Sequence, residues 1–316
     1  MKKLTTCLLA LVLLGTTALH AQEVIEKTFK AYKTIRIKTV SGDVELVKAK
    51  TNAIKVKVAY RVDPDGAFEP EFHESSQYLR LSENWSGRSY DSEVLWTVEL
   101  PADVKVKFSS ASGDLRVTDL DLNLDASTAS GDLELMGVEG ELELNTASGE
   151  IILSDAKGEF ELSTASGDID LDDIQGIIEC SAASGDIDIK NAQGEIECSV
   201  ASGDVDATQL KLTAPASFSA ASGDVDVKLN GALNDDISLS TASGSATLDF
   251  NGKPMKGFFE MQCRVRRGRI IAPFAFDNEE RFERYDQEYI KKTAKIKSDT
   301  PRIEISTASG RASVLK

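Results

Sequence analysis

The chain has few of the residues that most often carry catalysis or hold metal ions. Its 316 residues include two histidines and four cysteines, and aromatic residues make up only 6%. His20 lies in an N-terminal apolar segment, which leaves His73 alone in the rest of the chain. No His-Glu-x-x-His, Gly-x-Ser-x-Gly or phosphate-cradling glycine loop occurs. The common metalloprotease, serine-hydrolase and nucleotide-binding motifs are therefore excluded, and no cofactor is indicated.

Long apolar runs are also scarce. Lys2 and Lys3 precede an apolar run from residue 8 to 14, and small residues follow up to Ala21. This order is typical of a secretory signal peptide over residues 1–21, so we expect an exported protein that is periplasmic, outer-membrane-associated or extracellular. The run is too short for a membrane anchor, and no later stretch is apolar enough for a transmembrane segment. Cys7 precedes the run, whereas a lipoprotein cysteine would follow it, so lipidation is not expected.

The feature that the sequence does have is a strict repeat. Eleven nonapeptides follow one another without insertion from Gly113 to the unit that starts at Gly203. Positions three and five are apolar and positions two and four are mostly acidic, which is the alternation of a half-buried strand. Serine precedes the first residue of every second unit only, so the true period is eighteen residues. The repeat predicts an all-β fold, a parallel β-solenoid with two strands in each eighteen-residue turn.

Stacking such turns would bury the apolar positions in columns. One predicted inward column is Leu133, Ile151, Ile169 and Ile187, and the facing column is Leu142, Phe160, Ile178 and Ile196. Position eight is apolar and often small, and we expect it to fill the corners of the core in both kinds of unit: Val138, Ala147, Ala156, Ala165, Ile174, Ala183, Ala192 and Ala201. The serines that precede the glycines are expected to bond backbone groups at their corners.

Two of the cysteines fall inside the repeat. Cys180 and Cys198 both occupy position five and should stack on adjacent turns as small buried hydrophobic residues. The alternative is a disulfide between them, which an oxidising compartment would allow, although side chains that stack directly on parallel strands suit disulfide geometry poorly. The third, Cys263, has no evident partner.

Five regions follow from the pattern. The signal peptide, residues 1–21, precedes a strand-rich cap with the first solenoid turns at 22–108, in which 64–76 and 83–92 are expected to be loops. The regular solenoid covers 109–250, a basic and aromatic insertion covers 251–301, and a closing strand covers 302–316. Within the insertion, Phe282, Tyr285 and Tyr289 recur at the spacing of an amphipathic helix, so one short helix is predicted there.

The acidic residues are concentrated in the repeat. Residues 113–207 contain 24 acidic and 3 basic side chains, a net of −21, while the whole chain has a net charge of −16. This distribution argues against nucleic acid as a partner. Aspartates should stack in two columns, which either keep the surface soluble and unpaired or bind calcium: Asp168, Asp186 and Asp204 at position two, and Asp170, Asp188 and Asp206 at position four.

The insertion carries the opposite charge in one cluster, formed by Arg264, Arg266, Arg267 and Arg269. We expect the insertion to fold back over the last solenoid turns, with its helix on the exposed core and its arginines near acidic side chains. The alternative is that the arginines contact an anionic envelope surface, such as lipid headgroups or acidic polysaccharide.

Three stretches outside the regular repeat carry a family resemblance: Thr39-Val-Ser-Gly-Asp-Val, Val98-Glu-Leu-Pro-Ala-Asp-Val before Ser109-Ser-Ala-Ser-Gly-Asp-Leu, and Ile303-Glu-Ile-Ser-Thr-Ala-Ser-Gly-Arg-Ala. They resemble the bacterial "putative adhesin" family of secreted β-solenoid proteins. The resemblance implies the solenoid fold and brings no catalytic residues.

Together these observations favour a non-enzymatic, secreted cell-envelope solenoid, either an adhesion-type binding protein or a scaffold. Its expected partner is an unidentified envelope protein or polysaccharide, and we expect a monomer. Two alternatives stay open at this stage. One is a carbohydrate-active β-helix enzyme that uses carboxylates alone, and the other is a calcium-stabilised structural roll.

Overall fold

The computed structural model describes residues 22–87 and 91–316, so the predicted signal peptide lies outside the described residues. All helical or strand elements assigned in this part of the chain are β-strands, and none is a helix. The N-terminal strands are β1 Glu23–Phe29, β2 Thr34–Lys38, β3 Asp43–Lys48, β4 Ile54–Asp63, β5 Phe68–Glu74, β6 Tyr78–Trp85 and β7 Asp91–Leu100. The predicted loops at 64–76 and 83–92 are wrong in part, because β5 and the ends of β6 and β7 fall within them.

The regular part of the chain contains thirteen strands that run in parallel from turn to turn. They are β8 Val104–Ser110, β9 Leu115–Thr118, β10 Leu122–Thr128, β11 Leu133–Met136, β12 Glu139–Thr146, β13 Ile151–Thr164, β14 Ile169–Ser184, β15 Ile187–Lys190, β16 Gln193–Ser202, β17 Val205–Ser222, β18 Val225–Leu229, β19 Ile237–Ser243 and β20 Ala246–Asp249. The longest of them bend at a corner and belong to both sides of the stack.

As far as β16, residues that are eighteen positions apart pair across the parallel ladder, and the spacing grows to twenty and then twenty-one residues in the last turns. Ile151 pairs with Ile169, and Ile169 pairs with Ile187. The predicted inward columns are confirmed, since all eight of their side chains are at most 3% exposed. Cys180 and Cys198 stack in register as buried free thiols, also as expected. The apolar side chains of two sheets therefore form one continuous core along the stack.

The two corners of each turn are built differently. At one corner a residue adopts a left-handed conformation, with φ between 51° and 67° at Asp119, Gly137, Asp155, Asp173, Asn191 and Gln209. Asp, Asn and Gly adopt this conformation at the lowest cost among the amino acids. The next residue, such as Ala156 or Ile174, is buried and fills the corner. We call this the left-handed corner.

The other corner carries the Thr-Ala-Ser-Gly sequence, and here the position-eight prediction is wrong. The preceding strand continues one residue further than expected, so its alternation buries position seven and exposes position eight. Thr146 and Thr164 are buried, whereas Ala147 and Ala165 are exposed. We call this the serine corner, after Ser148, Ser166 and their equivalents.

Glycine is required at the serine corner because the turns stack so closely. A Cβ atom on Gly149 would lie 1.9 Å from the carbonyl oxygen of Gly131 in the turn before it. At the left-handed corner, a Cβ on Gly158 would meet the oxygen of Gly140 at the same distance, and Gly158 also has a φ of 149°. Each glycine backbone therefore rests directly on the glycine of the previous turn.

The N-terminal strands close one end of the core. β2 and β3 form the first turn of the stack and pair in parallel with β8 and β9 on one side and with β6 and β7 on the other. Antiparallel strands then cover the outside, with β5 on β6 and with β4 between β1 and β7. The chain thus leaves the first turn, builds the cap beyond it and returns to continue the stack.

Glu83 replaces the missing corner in that outer layer. Its carboxylate accepts hydrogen bonds from the backbone N–H groups of Val40 and Ser41 at 2.7 and 3.3 Å. It also accepts from the indole nitrogens of Trp85 and Trp96, at 3.0 and 3.1 Å. In the turns below, corner backbone groups bond to the preceding turn, so Glu83 provides acceptors for donors that have no such turn above them.

The C-terminal end repeats this arrangement with the insertion. Its strands are β21 Gly257–Arg264, β22 Gly268–Ile271, β23 Asn278–Arg284 and β24 Gln287–Ile296, and the closing strand is β25 Arg302–Leu315. β25 lies between the solenoid strands β19 and β20 on one side and β21 and β22 on the other. The insertion therefore covers the last turns, as expected.

The predicted helix in the insertion is wrong. β23 and β24 form an antiparallel hairpin whose turn contains Tyr285 and Asp286, both with positive φ. Phe282 and Tyr289 stack across the two strands with ring centroids 5.7 Å apart. The aromatic spacing that predicts one helical face is produced instead by a cross-strand pair. β23 is the outermost strand, and its sequence NEERFER places charged side chains along the free edge.

We expect deletion of residues 254–300 to expose β25 as an unprotected edge, because that strand pairs with β21 and β22 of the insertion. An uncovered strand next to an apolar core favours edge-to-edge association. Light scattering after size exclusion should therefore detect oligomers or aggregates, with a lower melting temperature. A monomer with unchanged stability would contradict a capping role.

Candidate functional site: columns, corners and the groove

The position-two aspartates form a ladder of hydrogen bonds to the backbone. Asp168 Oδ1 accepts from the N–H of Asp186 at 2.8 Å, and Asp186 Oδ1 accepts from the N–H of Asp204 at 2.8 Å. The same bond links Asp204 to Asp224, and Asp224 to Ser245, at 2.7 Å each. Earlier turns repeat it from Asp43 to Asp114, from Asp114 to Asp132 and from Asp132 to Glu150. These carboxylates therefore hold consecutive turns together.

The ladder is interrupted at Glu150. Its longer side chain hydrogen-bonds the Asp170 carboxyl, and this bond, with burial and the nearby negative charges, raises the pKa of Glu150. A glutamate at position two thus crosses to the position-four column instead of bonding the next turn.

The position-four aspartates lie on the outer side of the sheet that contains β9, β11 and β15, which we call the aspartate face. Asp170, Asp188, Asp206 and Asp226 are consecutive in parallel register. Burial, and then the charge of Asp170, raises the pKa of Asp188, with Lys190 partly offsetting it. Burial, and then the charge of Asp226, raises the pKa of Asp206. The column therefore contains carboxylates that repel one another.

At several serine corners the hydroxyl that bonds the backbone belongs to threonine. At the first corner, Ser110 Oγ accepts from the N–H of Gly113 and Ser112 Oγ donates to the carbonyl oxygen of Val40. The Oγ1 atoms of Thr128, Thr146 and Thr164 each accept from the glycine N–H three residues later, at 2.9 Å. The expectation that the serines do this is wrong for Ser130, Ser148, Ser166, Ser184 and Ser202, which are exposed and form no side-chain hydrogen bond within the described chain. The signal that could have identified threonine was its place three residues before glycine.

A groove of about 1000 Å³ lies beside the serine corners. Three stacked columns line it. They are an outer hydroxyl or amide column from Ser127 to Ser240, an inner column from Thr128 to Thr241, and an alanine column from Ala147 to Ala242. The alanines line the groove because position eight is exposed at this corner. The groove crosses seven consecutive strands, so it is about 29 Å long.

Chemically, the groove offers hydroxyl and methyl groups and no acid or base. Its lining consists of Ser, Thr, Asn, Ala and Val residues. His73, the lone histidine of the described chain, is exposed on β5 rather than in a loop. The buried thiols are poor nucleophiles: a hydrogen bond with Cys180, together with burial, raises the pKa of Cys198, and burial raises that of Cys263.

The four arginines of the insertion lie at the β21–β22 bend. Arg266, Arg267 and Arg269 are exposed, and Arg264 is half-buried with its Nε atom buried and lacking a hydrogen-bond partner. No ion pair joins them to an acid in residues 22–87 or 91–316, and the expectation that they lie near acidic side chains stays a prediction. The ion pairs of this segment involve other cations, as in Lys292–Glu279 at 3.0 Å and Lys291–Glu260 at 3.6 Å.

We expect substitutions in the two aspartate columns to change the free energy of unfolding in opposite directions. Asp186→Ala removes an acceptor from the ladder and should lower the free energy of unfolding by about 1 kcal/mol. Asp188→Asn removes a repelled charge. Because the folded state raises the pKa of Asp188, stability falls as pH rises from the ordinary value of 3.8 through the raised one. Asp188→Asn should therefore increase stability at pH 7 and have little effect well below 3.8.

Urea unfolding at both pH values would test this pair. Asp186→Asn is the matched control, since it removes the same charge but keeps an oxygen that can accept the bond. Equal losses for Asp186→Ala and Asp186→Asn would show that charge, and not the hydrogen bond, determines the effect.

For calcium, we predict weak and non-specific binding. Asp168, Asp186 and Asp204 each have one carboxylate oxygen engaged by a backbone N–H, which leaves few free oxygens for a cation that favours six to eight. Calorimetry should detect no micromolar site. A calcium-dependent rise in melting temperature that is lost in Asp170→Asn/Asp188→Asn would contradict this prediction and favour a calcium roll.

Comparison with known proteins gives one family match and several matches to solved structures. The Toastrack DUF4097 family model matches residues 26–189 and 158–260. A "putative cell adhesion protein" from Clostridium sporogenes has a similar structure at 8% identity, with 93% of this chain and 99% of that chain covered and a TM-score of 0.23. A "putative lipid binding protein" from Parabacteroides distasonis is 15% identical, with coverages of 72% and 89% and a TM-score of 0.42.

A "putative adhesin" from Bacteroides fragilis is 12% identical, with coverages of 93% and 97% and a TM-score of 0.34. No functionally curated protein matches the chain. Within the described ranges, no helix has the length and apolarity needed to cross a membrane, and no group of three or more His, Cys, Asp or Glu side chains is placed to hold a metal ion.

Proposed function

The chain belongs to the Toastrack DUF4097 family, and we propose that it is a non-enzymatic binding or scaffold protein. The observation that carries the proposal is the groove, which presents small side chains of similar kind on seven consecutive turns. A surface that repeats every 4.8 Å or so suits an extended polymer, which can contact equivalent groups on each turn.

The place of action that we propose is the cell envelope, after export. The expected signal peptide supports this proposal, and so does the strongly acidic repeat, which keeps a long sheet surface soluble. The ligand in the groove is then an extended envelope polysaccharide or an extended segment of an envelope protein. Hydroxyl groups such as those of Ser163 and Ser181 would donate and accept hydrogen bonds, and the methyl groups of the alanine column would contact its apolar parts.

The exposed arginines at the β21–β22 bend supply a second contact. Arg269 lies beside Arg311 of β25, so two cations are adjacent in the ladder. Arg266, Arg267 and Arg269 are free to meet phosphate or carboxylate groups, which guanidinium binds in bidentate geometry. A polymer with anionic groups, or the lipid surface beneath it, would be attracted to this end of the stack.

A glycan array and a pull-down from envelope fractions, run side by side, would test the proposal. The informative variant is Ala165→Tyr/Ala183→Tyr, which fills the groove at two exposed positions and should not disturb the core. The matched control is Asp172→Tyr/Lys190→Tyr, at exposed positions on the aspartate face of the same turns.

We expect the groove variant to weaken binding at least tenfold, about 1.4 kcal/mol, and the control to bind normally. If the groove variant and the control variant bound the ligand equally well, the groove would not be the binding site. Turnover of a bound polysaccharide that depends on a single carboxylate would replace the proposal with the enzyme alternative.

A further inference from the structure

One exposed column changes sign halfway along the stack. It lies on the outer side of the sheet that contains β8, β10 and β12, which we call the glutamate face. In ladder order, its residues are His73, Arg80, Arg36, Lys107, Asp125, Glu143, Glu161, Glu179 and Glu197. Eight of these side chains are exposed and Asp125 is half-exposed. Four cationic or ionisable groups are thus followed by five carboxylates.

Within one chain, only the boundary of the column is neutralised. Lys107 and Asp125 form an ion pair across it. The guanidinium groups of Arg36 and Arg80 lie over the Tyr78 ring, at 4.2 and 5.7 Å from its centroid. Neither arginine forms an ion pair with an acid in residues 22–87 and 91–316.

The acidic half is equally unpaired. Glu143, Glu161 and Glu179 form no ion pair with a described base, and they stand on adjacent strands about 4.8 Å apart. Like charges at this spacing repel one another. Both halves of the column would therefore be stabilised by a surface of the opposite charge.

We propose that this surface is a second copy of the same chain. The two copies would be related by a two-fold axis that runs parallel to the strands, between β8 and β10. This axis places each column opposite the same column of the second copy, with the strands in the reverse order. Arg36 then faces Glu143 of the second copy, Arg80 faces its Glu161, and His73 faces its Glu179. Every pair occurs twice, as an isologous dimer requires.

The neighbouring column fits the same axis. Lys105 and Asn123 stand on either side of the boundary, and Thr34 and Tyr78 precede Lys105 while Glu141 and Glu159 follow Asn123. The operation places the Tyr78 hydroxyl opposite Glu159 and Thr34 opposite Glu141. No pair in either column brings two like charges together.

The size of the face sets the strength of the dimer. Eight strands at about 4.8 Å and a strand length of about 17 Å give roughly 600 Å² per copy. Two copies bury about 1,200 Å², the lower limit of stable interfaces. Exposed ion pairs are worth about 0.2–1 kcal/mol each and are screened by salt. The dimer is therefore weak, reversible and salt-dependent, in contrast to the monomer expected from the sequence.

Sedimentation velocity on the chain without its predicted signal peptide tests the proposal. At ~0.01 M salt, where the Debye length is about 30 Å, the protein should dimerise, and at ~1 M salt, where it is about 3 Å, it should be monomeric. Two charge-reversal variants then probe the face: Arg36→Glu/Arg80→Glu, and Glu143→Arg/Glu161→Arg. Each alone should weaken dimerisation more than tenfold, because both copies of each pair become repulsive.

Mixing the two variants should restore association, since the reversed residues of one chain then face the reversed residues of the other. The matched control is Lys190→Glu/Lys228→Glu, which changes the net charge as much as Arg36→Glu/Arg80→Glu but on the other sheet, and it should dimerise normally. Circular dichroism would verify that each variant is folded.

Three results would overturn the proposal. They are a wild-type monomer at low salt at the highest soluble concentration, dimerisation unaffected by either reversal, and a mixture of the two variants that stays monomeric. The first of these would indicate that the face serves another partner.

Discussion

Direct stacking of backbone on backbone is the constraint from which the rest of this structure follows. At both corners of a turn, the glycine backbone sits so close to the turn before it that no side chain fits between them. This contact fixes the register, and the register places each side chain directly over its equivalent eighteen residues earlier. Core columns, surface columns, the groove and the thiol pair are consequences of the same repetition.

Perfect stacking also creates an electrostatic difficulty. A residue type that is repeated in the sequence becomes a column of identical charges about 4.8 Å apart. The protein handles this in two ways. Position-two aspartates accept a backbone N–H from the next turn, so part of their charge is offset by a dipole. Position-four aspartates have no such partner within the described residues, and burial together with the charges of neighbouring aspartates raises the pKa values of Asp188 and Asp206.

The sequence alone predicts what depends on periodicity. The apolar columns and the buried thiols follow from the nonapeptide pattern, because alternation and register leave few choices. The position of the insertion over the last turns follows from its aromatic residues, which need burial. Corner details do not follow, since a nonapeptide period treats two unlike corners as equal. The Asp, Gly and Asn residues at position seven of alternate units were the missed signal for a left-handed residue. Their absence at the serine corner explains why the strand continues and Ala147 is exposed.

Outside the repeat, local patterns mislead because pairing partners decide the conformation. Phe282, Tyr285 and Tyr289 have helical spacing, yet β24 pairs with β21 along eight residues, and that long-range ladder outweighs the local preference. The function of the position-two aspartates was hidden for a related reason. Acidic side chains on strands indicate a solvated face, and nothing in the pattern reveals that a backbone N–H of the next turn lies within 3 Å.

The two ends of the stack are capped by the same kind of strand arrangement. A solenoid that simply stopped would expose both an apolar core and unpaired corner donors. At each end, one layer of the stack lies between the cap and the rest of the solenoid. This layer consists of β2 and β3 at the N-terminal end and of β25 at the C-terminal end. The cap is thereby held by ladders on both sides of an internal turn. Glu83 completes the N-terminal cap by supplying the acceptors that a preceding turn would have supplied. The caps therefore extend the stacking rule by one layer and end it with charged, antiparallel strands that no further turn can follow.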